Sequence, residues 1–148
     1  MFIMLLITLV AVGAAVAAWL RPIPHEAAAP TPPSYSEQQV ADAKAKVCDA
    51  YGKVQKATTL NAARNGGDDP NAQLLIATTQ RQVFVVGSSY LLTTLAEEPA
   101  APADLAAAAN DLAHLYRVIT LDGLVGDRND PAHNEASEIA LKIQGLCK

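Results

Sequence analysis

The first twenty residues, Met1 to Leu20, contain no charged side chain and are predominantly apolar. A helix needs about 20 such residues to cross the hydrocarbon core of a bilayer. Trp19 followed by Arg21 is typical of the end of such a helix, where an aromatic ring lies at headgroup depth and a cation lies just beyond it. We therefore expect residues 1–21 to form a single-pass transmembrane anchor whose partner is the lipid bilayer.

A cleaved secretory signal is the alternative interpretation of this run, because small residues at 15–17 are compatible with a cleavage site. The apolar core of a signal is usually ~7–15 residues long and follows basic residues. The run here is longer and has no basic side chain before it, which favours the uncleaved anchor.

Two features disagree about the side of the membrane on which the rest of the chain lies. Arg21 favours the cytoplasm by the positive-inside rule. Cys48 and Cys147, the two cysteines, lie far apart without the spacing of a zinc or redox motif, so they favour one disulfide in an oxidising compartment. We expect an extracytoplasmic C-terminal domain, and two unrelated buried thiols in a cytosolic domain are the alternative.

Residues 22–35 contain five prolines and little bulky apolar surface. Such a composition favours an extended polyproline-like segment, which at ~3.1 Å per residue spans up to ~40 Å. We predict a linker here between the membrane and a domain formed by residues 36–148. A ligand for SH3-type domains is the alternative, although domains that bind such proline-rich ligands are uncommon outside the cytoplasm.

Four helices are predicted in residues 36–148. The first begins after Ser36, whose capping-box partner is Gln39, and it ends at the glycines at 66–67. The second begins at Asp69-Pro70 and ends before Pro99. A short strand over residues 82–86 is a minor alternative, because no second strand is available to pair with it.

The third helix is predicted to begin near Pro102 and to place Gly123 in a left-handed position just after its last turn. Asp130-Pro131 begins the fourth helix. Four helices joined by short turns predict an all-α, antiparallel four-helix bundle. The second helix is the most apolar, and we expect it to be the central one.

Helix lengths support a bond between the two cysteines. At 1.5 Å per residue, the first helix is ~42 Å long and the fourth is ~24 Å long, so a descending fourth helix ends ~18 Å above the base of the first. Cys48 lies ~16 Å above that base. The two cysteines thus reach the same height, and the chain-entropy model gives ~4–5 kcal/mol for closing so long a loop.

The chain resembles the small Ala/Pro-rich single-span membrane proteins of actinobacterial type, in which a proline-rich segment precedes a helical domain with a Val-Cys-Asp-Ala-Tyr segment, here Val47 to Tyr51. The resemblance covers most of the chain and is one of composition. It implies a location in the cell envelope and carries no activity or site.

Candidate chemical groups are few. Asp111 and His114 have the i, i+3 spacing of di-metal bundles, but the motif occurs once and lies beside the apolar stripe, so a solvated face is expected. His133 and Glu135 are expected to be surface residues near the start of the fourth helix. The Thr and Ser pairs at 78–79 and 88–89 have no His or Lys partner that the sequence can place beside them.

A net charge of −4 and a pI near 5.2 disfavour nucleic-acid binding. Lysines on the first helix alternate with acidic residues, which favours a solvated face over a lipid-binding patch. We therefore expect no catalytic, metal-binding or cofactor-binding residues, and a non-enzymatic interaction or scaffold module that binds an unknown envelope protein. An apolar-ligand-binding bundle is the alternative, and an enzyme whose site the sequence hides is a third possibility.

Overall fold

Four α-helices make up residues 34–148, the part of the 148-residue chain that the computed structural model describes. They are α1 (Glu37–Ala62), α2 (Pro70–Glu97), α3 (Ala103–Val125) and α4 (Asp130–Leu146), and residues Tyr35–Lys148 form one compact unit. The predicted anchor and nearly all of the predicted linker lie outside the described residues. Within residues 34–148, no helix combines the length and the apolar character needed to cross a bilayer.

The start of α1 is the capping box that the sequence predicts. The Gln39 amide N–H donates to Ser36 Oγ at 3.3 Å, and the Ser36 amide N–H donates to Gln39 Oε1 at 2.9 Å. Each side chain therefore satisfies a backbone donor that the helix itself leaves free.

The two Asp-Pro pairs act differently. Asp69 caps α2 as predicted, because its Oδ1 accepts from the Asn71 amide at 2.9 Å and Pro70 occupies the first turn. At α4 the cap is Asn129, whose Oδ1 accepts from the Ala132 amide at 3.1 Å, and Asp130 is already helical. Residues 82–86 are helical, so the alternative of a strand there is wrong.

The prediction that Gly123 ends the third helix is also wrong. Gly123 lies inside α3, and its carbonyl accepts a 2.8 Å hydrogen bond from Arg81 Nη2 of α2. Gly126 takes the left-handed conformation instead, with φ 87°. The hydrogen bond from Arg81 lies near the C-terminal end of α3. A tertiary contact at Gly123 therefore accompanies the continuation of the helix to Val125.

The most buried helix is α3, not α2. Nine α3 residues are buried, compared with four on α2, and α3 packs along both α2 and α4. Its buried face includes Ala108, Ala109 and Ala113, whose small side chains let the neighbouring helices approach closely. α2 packs against α1 and α3, but it buries fewer residues than α3 and exposes several large apolar side chains, so the prediction of a central second helix is wrong.

The Cys48 and Cys147 side chains lie at disulfide-bonding distance, with 5.6 Å between their Cα atoms. Bonded cysteines usually have Cα atoms 4.4–6.8 Å apart. Both cysteines pack against the core, and the predicted match in height between α1 and α4 is confirmed. α1 and α4 otherwise make few contacts, so this pair defines where they meet.

Candidate functional site

An open groove lies between α1 and α4 beyond the disulfide. It has a volume of about 500 Å³ and extends down to the buried faces of α2 and α3. It exists because α1 and α4 contact each other over a short stretch and do not pack along their lengths. The described residues that line it are Tyr51, Gln55, Thr58, Ala62, Gln80, Phe84, Tyr116, Ile119, His133, Ala136, Ser137, Ala140, Leu141 and Gln144.

The floor of the groove is aromatic. The Phe84 ring stacks on the Tyr116 ring, with 4.5 Å between ring centroids and 20° between ring planes. The His133 ring lies 6.3 Å from that of Phe84, tilted by 55°. Tyr51 crosses to α4, where its hydroxyl donates to the Ala140 carbonyl at 2.7 Å. This floor offers ring faces and apolar edges to a bound group.

The walls of the groove are polar but uncharged. None of the described residues that line the groove is Asp, Glu, Lys or Arg. The Thr58 and Ser137 hydroxyls donate to carbonyls of their own helices, Thr58 to Val54 at 3.0 Å and Ser137 to His133 at 2.9 Å. Gln55 and Gln144 stand on opposite helices, and their amides can both donate and accept hydrogen bonds. A charged group would find no carboxylate, ammonium or guanidinium partner among the described residues that line the groove.

One wall is anchored at the upper end of α1 by Asn61. Its Nδ2 donates to Gln80 Oε1 at 2.7 Å and to the Ile76 carbonyl at 3.3 Å, which fixes α1 to α2. Asn61 is buried, and its Oδ1 has no hydrogen-bond partner among the described residues. The Gln80 amide is therefore partly committed to holding the wall.

Burial makes the two phenols of the groove harder to ionise. Desolvation raises the pKa of Tyr116, and the Thr58 hydroxyl opposes this more weakly. Desolvation also raises the pKa of Tyr51, and Tyr116 raises it further. Both hydroxyls therefore stay protonated at neutral pH and act as uncharged hydrogen-bonding groups.

The candidate residues of the sequence lie elsewhere. Asp111 and His114 are exposed on α3, and together with Glu135 of α4 they border a second, shallower depression. Within residues 34–148, no group of three or more His, Cys, Asp or Glu side chains could hold a metal ion. His133 is exposed, as expected for a surface residue, but its ring also borders the groove.

Three of the four candidate hydroxyls, at Thr78, Thr79 and Ser88, are engaged within α2. Ser88 is buried and donates to the Val85 carbonyl at 2.9 Å. Thr78 and Thr79 donate to the carbonyls of Leu74 and Leu75, each at 2.8 Å. Each of these hydroxyls uses its proton in its own helix.

The lysines of α1 face the edge of α2. Lys46 pairs with Glu98, and Lys53 Nζ lies 3.1 Å from the Tyr90 hydroxyl and 5.6 Å from the centroid of its ring. Glu98 and Tyr90 each raise the pKa of the lysine beside them. These contacts join α1 to α2 on the outside of the bundle and do not form a concentrated basic patch.

The sequence interpretation missed the groove, and one signal in the sequence marks it. The described residues include five aromatic side chains of Phe, Tyr or Trp, and three of them, Tyr51, Phe84 and Tyr116, line the groove. In a chain with 5% aromatic residues, such a concentration stands out. These three residues lie on three different helices and are brought together by helix packing. The periodicity of a single helix does not specify that packing.

Comparison with known proteins leaves the chemistry of the groove as the guide to function. No protein-family model, curated protein or solved structure matches this chain.

Proposed function

We propose that this chain is a membrane-anchored, extracytoplasmic interaction module of the cell envelope, without enzymatic activity, that binds an uncharged segment of a partner protein in the α1–α4 groove. The observation that carries the proposal is the groove itself, which combines a floor of Tyr51, Phe84 and Tyr116 with uncharged polar walls. Grooves lined by aromatic side chains are a recurrent way to bind extended, proline-rich or uncharged peptide segments.

The anchored, extracytoplasmic location is supported by the sequence and by one distance in the structure. Residues 1–21 have the length and composition of a membrane span, and residues 22–35 have the composition of an extended spacer. The distance between Cys48 and Cys147 favours a disulfide, which would persist in an oxidising compartment. Together they favour an extracytoplasmic domain held away from the bilayer, as does the resemblance to Ala/Pro-rich envelope proteins.

A role in binding is supported by the character of the groove residues. His133 has no acidic side chain among the other described residues that line the groove, and the Thr58 and Ser137 protons are bound by their own helices. A general acid–base mechanism needs a positioned proton donor and acceptor, usually activated by a neighbour. The groove instead offers ring faces and amides, which recognise a neutral partner.

Photo-crosslinking in native membranes tests this proposal. A photoreactive residue at Leu141, on the α4 wall, should capture a specific protein, and one at Asn110, exposed on α3, should not. Adding Gln144→Glu should abolish the capture, because a carboxylate would be desolvated beside a neutral partner. The matched control Asn110→Asp adds the same charge away from the groove. Capture that persists in Gln144→Glu would overturn the groove as the binding site.

A second candidate function is the binding of a small apolar ligand. The groove volume of about 500 Å³ favours it, because ligand pockets usually measure ~300–1,000 Å³. Native mass spectrometry of the purified full chain tests it. A ligand mass that Ala140→Phe removes, and that Ala57→Phe on the exposed side of α1 leaves in place, would favour this function over the first. Protein without such a mass would contradict it.

A further inference from the structure

The outer face of α2 has the spacing of a coiled-coil seam. Seven of its residues recur at alternating steps of four and three, and six of the seven are exposed while Thr79 is half-buried. We call this set the α2 seam: Leu75, Thr79, Gln82, Val86, Ser89, Thr93 and Ala96. In heptad terms, the a positions are Thr79, Val86 and Thr93. All three are β-branched, and four of the seven seam residues carry a hydroxyl or an amide, so this seam is more polar than that of a typical coiled coil.

The seam points away from the rest of the bundle. On the opposite side of α2, a Cβ at Gly87 would lie 2.8 Å from Val54 of α1, and Arg81 bonds to Gly123 of α3. These contacts occupy the sides of α2 that face its neighbours. Val86 is 67% exposed and Leu75 is 63% exposed, so the two bulkiest aliphatic residues of the seam have no helix over them among residues 34–148.

The seam is also free of charge. Between Asp69 and Glu97 the one charged residue is Arg81, which lies off the seam. On α1, by contrast, seven of 26 residues are charged, as is usual for a solvated helix: Glu37, Asp42, Lys44, Lys46, Asp49, Lys53 and Lys56. A helix face without charge over several turns is suited to contact with another surface.

Part of this face can lose water at low cost. The Thr79 hydroxyl of the seam and the Thr78 hydroxyl beside it donate to carbonyls one turn back, each at 2.8 Å. Their protons therefore need no water molecule. Burying a polar group is costly mainly when its hydrogen bonds are lost. These threonines keep theirs, so another surface can pack on their methyl groups without that desolvation cost.

We propose that the α2 seam packs on the α2 seam of a second copy of this chain, with the two helices parallel. In a two-fold interface every residue near the axis meets its own counterpart, so a charged face would repel itself, whereas an uncharged one does not. Gln82 then faces Gln82, and each amide can donate to and accept from the other.

The direction of the pair rests on the proposed membrane anchor, because two chains held in one bilayer place their α2 helices side by side in the same sense. The pairing itself does not rest on the anchor or on the groove. An antiparallel pair would set Leu75 against Ala96, whereas a parallel pair sets each residue against itself. Crosslinking between engineered cysteines distinguishes these arrangements.

The test uses the full chain in native membranes with a short bismaleimide. Val86→Cys should give a crosslinked dimer with a yield at least about ten times that of Asn110→Cys, because seam contact raises the effective concentration of the two thiols. The wild-type chain measures any reaction of Cys48 and Cys147. When Leu75→Cys and Ala96→Cys chains carrying different tags are made together, dimers of like variants should form and mixed dimers should not.

Other results overturn the proposal. Equal yields from Val86→Cys and Asn110→Cys, or no dimer from Val86→Cys, would exclude the seam as a contact between copies. A crosslink from Val86→Cys to a polypeptide of another mass would assign the face to a different protein, and a mixed Leu75–Ala96 dimer would overturn the parallel direction. Gln144→Glu should leave the dimer unchanged, which separates this proposal from that of the groove.

Discussion

The Phe84 ring of α2 stacks on the Tyr116 ring of α3, with 4.5 Å between the ring centroids, and the pair is both core and groove floor. Phe84 is 7% exposed and Tyr116 is 4% exposed. Stacked aromatic pairs contribute about 0.5–1.5 kcal/mol beyond the area they bury. The same contact therefore joins two helices and shapes the surface that a partner would meet.

Phe84→Ala should lower the free energy of unfolding by about 3–5 kcal/mol, because it removes a buried ring and leaves a cavity. Phe84→Asp should unfold the domain, since an unpaired carboxylate would lie in the core. Val85→Asp is the matched control, with the same new charge at an exposed position of the same helix outside the α2 seam. Circular dichroism and urea titration measure both. A fully folded Phe84→Asp variant would show that Phe84 lies on a binding surface instead of in the core.

Two glycines in helix interiors should respond in opposite ways to alanine. A Cβ at Gly87 would lie 2.8 Å from Val54 Cγ1, so Gly87→Ala should destabilise the protein by about 1–3 kcal/mol. At Gly52 nothing lies within 4 Å, and Gly52→Ala should stabilise α1 by about 0.5–1 kcal/mol. Thermal unfolding of both variants checks the pair.

The close approach at Gly87 also predicts coupling. Val54→Ala should cost less in the Gly87→Ala protein than in the wild type, because the smaller side chain makes room for the new methyl group. Additive effects of the two substitutions would show that α1 and α2 move apart to accommodate the alanine.

The helix starts could be predicted because the interactions that make them are local. Ser36 and Gln39 are three residues apart, and Asp69 and Asn71 are two apart, so the pattern lies within a few letters of sequence. The end of α3 could not be predicted from Gly123 for the opposite reason. Its environment includes Arg81, 42 residues away, and two glycines three residues apart were both compatible with a helix end.

The position of each helix in the bundle depended on more than its hydropathy. α2 and α3 both carry many large apolar side chains, yet α3 is the more buried because Ala109 and Ala113 let neighbouring helices pack closely on it. The excess apolar surface of α2 is left outside, at Val86 and Leu75. The groove arises from the divergence of α1 and α4, and no single helix carries a signal for it.

Removing the pair of cysteines should destabilise the domain and loosen the groove. The pair closes a separation of 99 residues, for which the chain-entropy model gives at most about 4–5 kcal/mol. Cys48→Ala with Cys147→Ala should lower the thermal midpoint accordingly. In the wild type, maleimide should fail to label denatured, unreduced protein from intact cells. Labelling of both thiols would contradict the disulfide and favour the cytoplasmic orientation.

Asp111→Ala and His114→Ala should each change the free energy of unfolding by less than about 0.5 kcal/mol, as is usual for surface substitutions. Both side chains are exposed on α3, and the depression that they border holds no metal-binding group of three or more His, Cys, Asp or Glu within residues 34–148. Urea titration measures the effect. A metal ion bound to the purified full chain in stoichiometric amount, and lost in either variant, would contradict this prediction.

Stability should fall at alkaline pH because the buried phenols resist ionisation. Burial raises the pKa of Tyr116 and of Tyr51 in the folded protein above the ordinary value of 10.0. The unfolded chain therefore releases these protons first, and the free energy of unfolding should be constant at neutral pH and decrease as the pH rises above about 10. Lys46 and Lys53, whose pKa values are also raised, lose their contacts in the same range.

Comparing Tyr116→Phe with the wild type separates the contribution of the phenol to the pH dependence of stability from that of the lysines. Tyr116→Phe removes the ionisable group but keeps the ring on Phe84, so its free energy of unfolding should depend less steeply on pH above about 10 than that of the wild type. Tyr35→Phe, at an exposed position, is the control and should keep the wild-type slope. Urea titrations of the unreduced protein between about pH 8 and 11 measure the slopes. A Tyr116→Phe protein with the wild-type slope would show that this phenol ionises as readily in the groove floor as in the unfolded chain.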